Sequence, residues 1–427
     1  MAAYTSEQLR DMVREDRIHR ALYVDPQVFE IEMQKIFGRV WVYMGHESLV
    51  PNPHDYYCAD VARQAMVLTR ATDGNLHVLF NRCGHRGAKV LSRVRGNARL
   101  LTCMYHGWAF RQDGSLAAVP MRADFPAETL ADPQFGMVRV PRVEVYRGFV
   151  FYSLDPDVEP LQDYLGPARA GIDEITDRSP VGEIELASGC HRYHFRGNWK
   201  LQMDNMADMY HPAACHGSTV GPDGRQFQRR AGSEGGNALF FAPNGEAIVA
   251  QTGVRGFLKG HSSEASLFDR EQSGEGWDDY RALMVQTYGA ERTTDILKNR
   301  RHSMTLLPNV DIVMAQTSIR VIRPVAVDLT EVEIWPVKLK GAPERISRDL
   351  VKYVNISHAA ASFVQTDDLE AFERCQEGLR TQGTDWVLVA KGLGDEMDEG
   401  QGVKFGPRSS EVGQRMRHYA WRDLMSA

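Results

Sequence analysis

The sequence predicts an α+β protein in which a small all-β domain precedes a larger domain of mixed class. Three observations carry that prediction. Between residues 40 and 155 the chain breaks into short alternating strands joined by Asp-Gly turns. The stretch Asp155-Pro156-Asp157-Val158-Glu159-Pro160 then interrupts any regular element. Beyond it, runs of strands are followed by helices without regular βαβ alternation. The domains expected are a helical N-terminal segment over 1–39, the all-β domain over 40–155 and the large domain over 156–427.

Taken in order, the first 37 residues read as helical, because Leu9, Met12 and Val13, then Phe29, Ile31, Met33 and Ile36, recur at helical spacing. Residues 65–69 and 76–80 flank Asp73-Gly74 and predict a hairpin, as do residues 108–110 and 116–119 around Asp113-Gly114. A third strand pair is expected in 138–140 and 149–152. In the large domain, a strand at 191–195 precedes a helix from Trp199. Strand-like runs follow at 310–314, 318–322 and 332–335, and a helix runs from Glu344 towards Phe363. Residues 217–300 are rich in Gly and Ser early on and are expected to hold loops.

The 427 residues suffice for two or three domains. A content of 43% hydrophobic and 25% charged residues is ordinary for a globular chain. The net charge of −6, with acids and bases interspersed, offers no basic block for nucleic acid. No apolar run approaches the roughly 20 residues that span a bilayer. Met1 to Gln8 lack the basic-then-apolar order of a signal peptide, so a cytoplasmic protein is expected. The six cysteines are sparse and show no framework spacing, which favours metal ligation or reactivity over disulfides.

Two of those cysteines sit in matched surroundings. Asn81-Arg82-Cys83-Gly84-His85-Arg86-Gly87 pairs a Cys with a His, and after a spacer of 17 residues Cys103-Met104-Tyr105-His106-Gly107-Trp108 does so again. Each half follows an apolar strand and opens into Gly, as a tight ligand loop requires. Two thiolates on one iron and two neutral imidazoles on the other form the Rieske [2Fe-2S] arrangement, which raises the reduction potential above that of an all-cysteine cluster. A mononuclear zinc site is the rival, but zinc sites more often pair like with like.

The second informative passage is residues 198–211, read as a helix from Trp199. Trp199, Met203, Met206 and Tyr210 form its apolar stripe, while Leu201, Asp204, Asp208 and His211 share another face. Pro212 is expected to bend the helix and bring His216 back beside His211. Two imidazoles plus a carboxylate, with positions left open, suit a non-haem Fe(II) oxygenase. Asp208 sits where it would support His211, so the third ligand must come from elsewhere. Asp367 and Asp368 are the candidates, and each alone is equally an N-cap of a helix starting near Leu369.

A Rieske signature followed about a hundred residues later by Asp208-x-x-His211-x-x-x-x-His216 resembles one family over most of the chain: the large, or α, subunit of Rieske-type aromatic-ring-hydroxylating oxygenases. The resemblance implies that Cys83, His85, Cys103 and His106 hold one [2Fe-2S] cluster, and that His211, His216 and Asp368 hold one mononuclear Fe(II). It implies that Asp208 bridges an iron-bound His to a cluster His of a neighbouring subunit, and that Tyr210 belongs to the iron pocket. Met206, Met209 and Phe363 are substrate-pocket candidates by neighbourhood, though core packing accounts for each as well. Asp204 is read as a hydrogen-bonded acid without a ligand role.

The implied fold is a Rieske β domain inserted before a catalytic domain with an antiparallel sheet flanked by helices, of helix-grip, START-like type, on which the N-terminal segment packs. The implied activity is terminal oxygenase. O2 and electrons from NAD(P)H would hydroxylate or cis-dihydroxylate an aromatic compound, of the benzoate, anthranilate or salicylate kind. No Gly-x-Gly-x-x-Gly follows a strand, so an NAD(P)H-dependent reductase, directly or through a ferredoxin, would be a separate polypeptide. A homotrimer of α subunits, or one joined by three small β subunits, is implied too. Two alternatives stand beside this reading. One is a Rieske electron-transfer protein without oxygenase chemistry, which leaves the second-site histidines unused. The other is a zinc-stabilised binding module.

Overall fold

The structure, a computed structural model, describes residues 4–216, 253–265, 276–298, 301–314, 317–362 and 364–427. These form two compact units, residues 37–161 on one side and residues 1–36 with 162–427 on the other. Most of the Gly- and Ser-rich stretch expected to be loops lies outside the described residues, as does Phe363.

The smaller unit is built from antiparallel sheets. One has four strands in the order Leu76–Phe80, Gln64–Arg70, Asp55–Val61, Arg95–Asn97. The first two are the predicted hairpin, with Thr69 opposite His77 around a Gly74 at φ +87°. A three-stranded sheet joins Leu101–Thr102, Ala109–Phe110 and Leu116–Ala118, the second predicted hairpin. The third pair is displaced from expectation: Arg142–Tyr146 pairs with Phe149–Ser153, which also pairs with Val42–His46. Arg147 and Gly148, both at positive φ, make the tight turn, while Arg139 contributes only an isolated bridge to Leu79. Tyr56, Val67, Leu79, Leu101, Trp108 and Phe110 pack into one core that includes Cys83 and Cys103.

The larger unit is organised on a ten-stranded antiparallel sheet. Its long central strands are Ser318–Ala326 and Leu329–Leu339, flanked by Val310–Val313, Arg301–Leu306, Ser262–Ala265 and Gly253–Phe257 on one side. Ile184–Leu186 and His191–Phe195 pair with Leu329–Leu339 on the other. Helices Glu344–Ser357 and Gln365–Leu379 cover the sheet through Val354 and Phe372 against Tyr193, Phe195, Val332 and Ile334. The N-terminal segment belongs to this unit. It is not continuously helical: Arg17–His19 is a strand paired with Trp386–Leu388, between helices Ser6–Asp11 and Ala21–Val24.

Two helix expectations need correction where they carry the site. The helix from Trp199 ends at Asn205 and does not reach His211. The reason lies far along the chain: Gln414 Nε2 donates to the carbonyls of Asp204 and Ala207, and Ser303 Oγ donates to that of Met206. These bonds satisfy end carbonyls that continuing helix would otherwise use. Pro212 then does not bend a helix but opens a new one, Pro212–Cys215, at a first-turn position where its missing N–H costs nothing. Likewise the late helix begins at Gln365, so Asp367 and Asp368 lie in its first turn and neither is its N-cap.

Candidate metal centres

The smaller unit presents its Cys/His pairs on twin loops. In the first, Cys83 N–H donates to the Ala88 carbonyl at 2.8 Å and Gly87 N–H to the Cys83 carbonyl at 3.0 Å. In the second, Cys103 N–H donates to the Trp108 carbonyl at 2.8 Å and Gly107 N–H to the Cys103 carbonyl at 3.0 Å. Gly87 and Gly107 occupy the left-handed region at φ +75° and +72°, where a side chain would strain the loop. Both cysteines are buried, whereas His85 and His106 are half-buried and Met104 and Tyr105 are exposed. The two imidazoles lie 4.6 Å apart by ring centroid, and His85 stacks on Trp108. His85 Nδ1 is shielded from solvent and has no hydrogen-bond partner among the described residues. Two soft donors inside and two imidazoles at the rim, one with an orphaned ring nitrogen, fit a mixed-ligand iron–sulfur cluster.

The larger unit gathers His211, His216 and Asp368, each offering one ligand atom, all within 4.8 Å of one another. His211 precedes the short helix Pro212–Cys215, His216 follows it, and Asp368 comes from the first turn of Gln365–Leu379. Asp368 Oδ1 lies 3.2 Å from His216 Nε2 and 3.5 Å from His211 Nε2. The remote nitrogens face other carboxylates, with His211 Nδ1 3.5 Å from Asp208 Oδ2 and His216 Nδ1 3.2 Å from Asp367 Oδ2. The bond from Asp367 to His216 Nδ1 favours the tautomer that leaves His216 Nε2 free and inward, as metal-binding histidines require, whereas Asp208 faces His211 Nδ1 without a hydrogen bond. Asp208 is itself placed by a turn, its Oδ1 accepting from Tyr210 N–H at 2.6 Å.

The charges respond to this crowding. Burial pushes the Asp368 carboxyl up, but the bond from His216 and the charge of His211 outweigh it and hold the group below its usual range. Burial likewise lowers His216, and Asp368 and Asp367 reverse that and raise it. Two imidazoles drawn to one buried carboxylate make a donor set that suits a divalent iron.

Some of the remaining candidates are placed elsewhere. Tyr210 is 62% exposed and its ring lies under Lys391 Nζ, 4.3 Å from the centroid, so it is not brought among the triad. Met206 and Met209 are buried, and Met206 Sδ receives Arg320. Asp204 is a structural acid: Tyr23 Oη donates to it at 2.6 Å and Arg417 pairs with it at 3.0 Å.

Sequence reasoning missed Asn205, whose amide lies 3.1 Å from both His211 Nε2 and Asp368 Oδ1. It also missed Gln365, one helical turn before Asp368, and Arg320. An Arg inside the strand run Ser318-Ile319-Arg320-Val321-Ile322 is a buried charge that the apolar pattern itself could have flagged.

Residues 40–138 match the model of the Rieske [2Fe-2S] domain, and residues 186–427 match that of the ring hydroxylating alpha subunit (catalytic domain). The chain is 32% identical over 420 residues to toluate 1,2-dioxygenase subunit alpha of Pseudomonas putida, covering 96% of this chain and 91% of that one. It is 31% identical over 380 residues to the 2-halobenzoate 1,2-dioxygenase large subunit of Burkholderia cepacia, covering 88% and 80%. Among solved structures it is similar to naphthalene 1,2-dioxygenase with indole bound in the active site, with a TM-score of 0.81, 26% identity and coverage of 97% and 94%.

Proposed function

Since the chain belongs to the ring-hydroxylating oxygenase α-subunit family, we propose that it is the terminal oxygenase component of a multicomponent system acting on an aromatic acid of the benzoate, anthranilate or salicylate kind. Such an oxygenase carries a Rieske [2Fe-2S] cluster and a mononuclear iron. Its family works with a separate reductase or ferredoxin and often with a β subunit. The observation that carries the proposal is the presence, in one chain, of the twin Cys/His loops and of the His211–His216–Asp368 triad. The relatives named for 2-halobenzoate, toluate and anthranilate support an acid as substrate.

In this reading Cys83, His85, Cys103 and His106 hold the cluster, and His211, His216 and Asp368 hold the iron. When bound, these groups supply single-electron transfer and O2 activation for ring hydroxylation. The chain's own residues do the positioning. Asp367 keeps His216 Nε2 unprotonated and inward through its bond to Nδ1, Asp208 faces His211 Nδ1, and the Asn205 amide holds both His211 Nε2 and the Asp368 carboxylate. Asp208 is further proposed as the link to the cluster of a neighbouring subunit. The partners proposed are an NAD(P)H-dependent reductase, with or without a ferredoxin, in a trimer with or without β subunits. The setting proposed is cytoplasmic aromatic catabolism, and no described helix is long and apolar enough to cross a membrane. The functional boundaries proposed, 1–39, 40–155 and 156–427, lie close to the division between the two compact units.

The test is product analysis with a compatible reductase and a panel of aromatic acids and neutral arenes, alongside three variants. Asp368→Ala is expected to lose mononuclear iron while the red-brown cluster spectrum persists. Asp208→Asn is expected to keep both and lose product. Iron loss in Asp367→Ala but not in Asp368→Ala would reverse the ligand assignment, and near-wild-type turnover by Asp208→Asn would remove its bridging role.

A further inference from the structure

Arg320 is 2% exposed, and among the described residues its guanidinium has poor company. One Nη lies 2.6 Å from Met206 Sδ, the other 3.3 Å from Gln365 Oε1, and Nε has no partner. A thioether sulfur is a weak acceptor, so among the described residues one amide oxygen is the only good acceptor offered to five N–H donors. Other buried arginines differ. Arg323 meets Glu333 at 2.9 Å, Arg417 meets Asp204 at 3.0 Å, and Arg415 is paired with Glu396. A buried guanidinium that makes no direct bond to a carboxylate among the described residues is costly unless an anion joins it.

Its position says which anion. Met206 adjoins Asn205, and Gln365 stands one turn before Asp368, so the guanidinium sits beside the triad; Asp368 feels its charge. On the sheet face that Arg320 shares, Ser318 Oγ is buried without a hydrogen-bond partner among the described residues, as is Gln365 Nε2 on the covering helix. The cross-strand neighbour Asp311 interacts with the guanidinium through its charge but makes no hydrogen bond to it among the described residues. Its Oδ1 accepts from Thr305, its Oδ2 has no hydrogen-bond partner among the described residues, and burial, opposed by the charge of Arg320, pushes its carboxyl up to about 7.

We infer that Arg320, assisted by Ser318 and Gln365, is the specificity residue that binds the substrate's carboxylate and so fixes the ring beside the iron triad. The guanidinium fork matches a carboxylate in a two-bond geometry that neutral arenes lack. This inference rests on the aromatic-acid reading above.

The experiment uses holoenzyme and whichever of benzoate, 2-aminobenzoate and 2-hydroxybenzoate the wild type turns over fastest, paired with the matching carboxamide. Equilibrium binding, iron content and cluster spectrum are measured for wild type, Arg320→Met and Arg320→Lys. Met preserves the stem's bulk without charge; Lys preserves charge without the fork. The acid's dissociation constant is expected to rise at least tenfold in Arg320→Met and less in Arg320→Lys. The carboxamide's should change less than twofold, with iron and cluster retained. Equal loss for acid and amide, unchanged acid binding, or loss of iron in both variants would overturn the inference, the last by making Arg320 a support of Asp368. If the wild type oxidises only neutral arenes, the aromatic-acid reading itself fails, an outcome distinct from acid turnover that survives Arg320→Met.

Discussion

His261 spends both ring nitrogens inside the larger unit: Nδ1 accepts from Leu307 N–H and Nε2–H donates to the Tyr164 carbonyl, each at 3.0 Å. Protonation would set an N–H against an N–H. Burial, opposed by the Tyr164 carbonyl, pushes this imidazole down to about 4. The unfolded chain therefore binds a proton at higher pH than the folded one. The stability this residue contributes is full above the ordinary value of 6.5 and is lost as pH falls towards about 4. The loss amounts to about 3 kcal/mol. Urea unfolding of wild type and His261→Gln at pH 7.5, 5.5 and 4.5 checks it: the gap between them should narrow with acid, and parallel curves would refute the assignment. The same scale separates the carboxylates. Asp367 and Asp368 are adjacent in sequence and chemically alike, yet one faces His216 Nδ1 and the other lies between both Nε2 atoms. Only the direction of the helix carrying them tells them apart.

At the scale of elements, the short helix Trp199–Asn205 leads directly into the triad and depends on its start. Asn198 is buried, its Oδ1 accepts from Lys200 N–H at 3.1 Å, and its Nδ2 donates to the Val327 carbonyl at 2.9 Å. Asn198→Ala removes both bonds and is expected to cost about 2–3 kcal/mol. Asn198→Ser, which retains a capping oxygen, should lose less; equal midpoints in thermal unfolding would show that the cap contributes nothing. The two Asp-Gly hairpins were legible because turn chemistry is local: a left-handed Gly and a short polar loop set the register around themselves. The end of the helix at Asn205 was not. It is set by Gln414, which lies 207 residues from the Ala207 carbonyl it binds. The third strand pair was misplaced for a related reason, since Arg147-Gly148 makes its turn without an Asp or Asn to announce it.

Across the larger unit, Glu32 draws three distant segments together. It is fully buried, and its carboxylate receives Lys200 Nζ at 2.6 Å, Trp421 Nε1 at 2.7 Å and Trp199 Nε1 at 2.9 Å. The N-terminal helix Pro26–Lys35 is thereby fastened to the C-terminal helix Val412–Ser426 and to the helix that leads to the triad. Burial drives the Lys200 pKa down, and Glu32 opposes that shift. Glu32→Gln leaves the ammonium buried without its counter-charge and is expected to cost about 3–5 kcal/mol. Adding Lys200→Met should restore much of the loss, because an uncharged stem needs no partner. If the double variant is no more stable than Glu32→Gln alone in denaturant unfolding, the pairing is not what stabilises this junction.

The amino-acid order alone settled the twin Cys/His loops. Cys83 with His85, and Cys103 with His106, are separated by so few residues that a Gly-ended turn brings each pair to one side of a loop. His211 and His216 were likewise near enough to meet once Pro212 broke the chain's course, although it does so by starting a helix. Tertiary structure alone decided what completes and surrounds the second centre. Asn205 reaches Asp368 across 163 residues, and Arg320 comes to Met206 across 114, on a strand whose register with its neighbours chooses the face it presents. Short spacings constrain geometry through a few backbone dihedrals. Long ones acquire it only when sheet register and helix packing are complete.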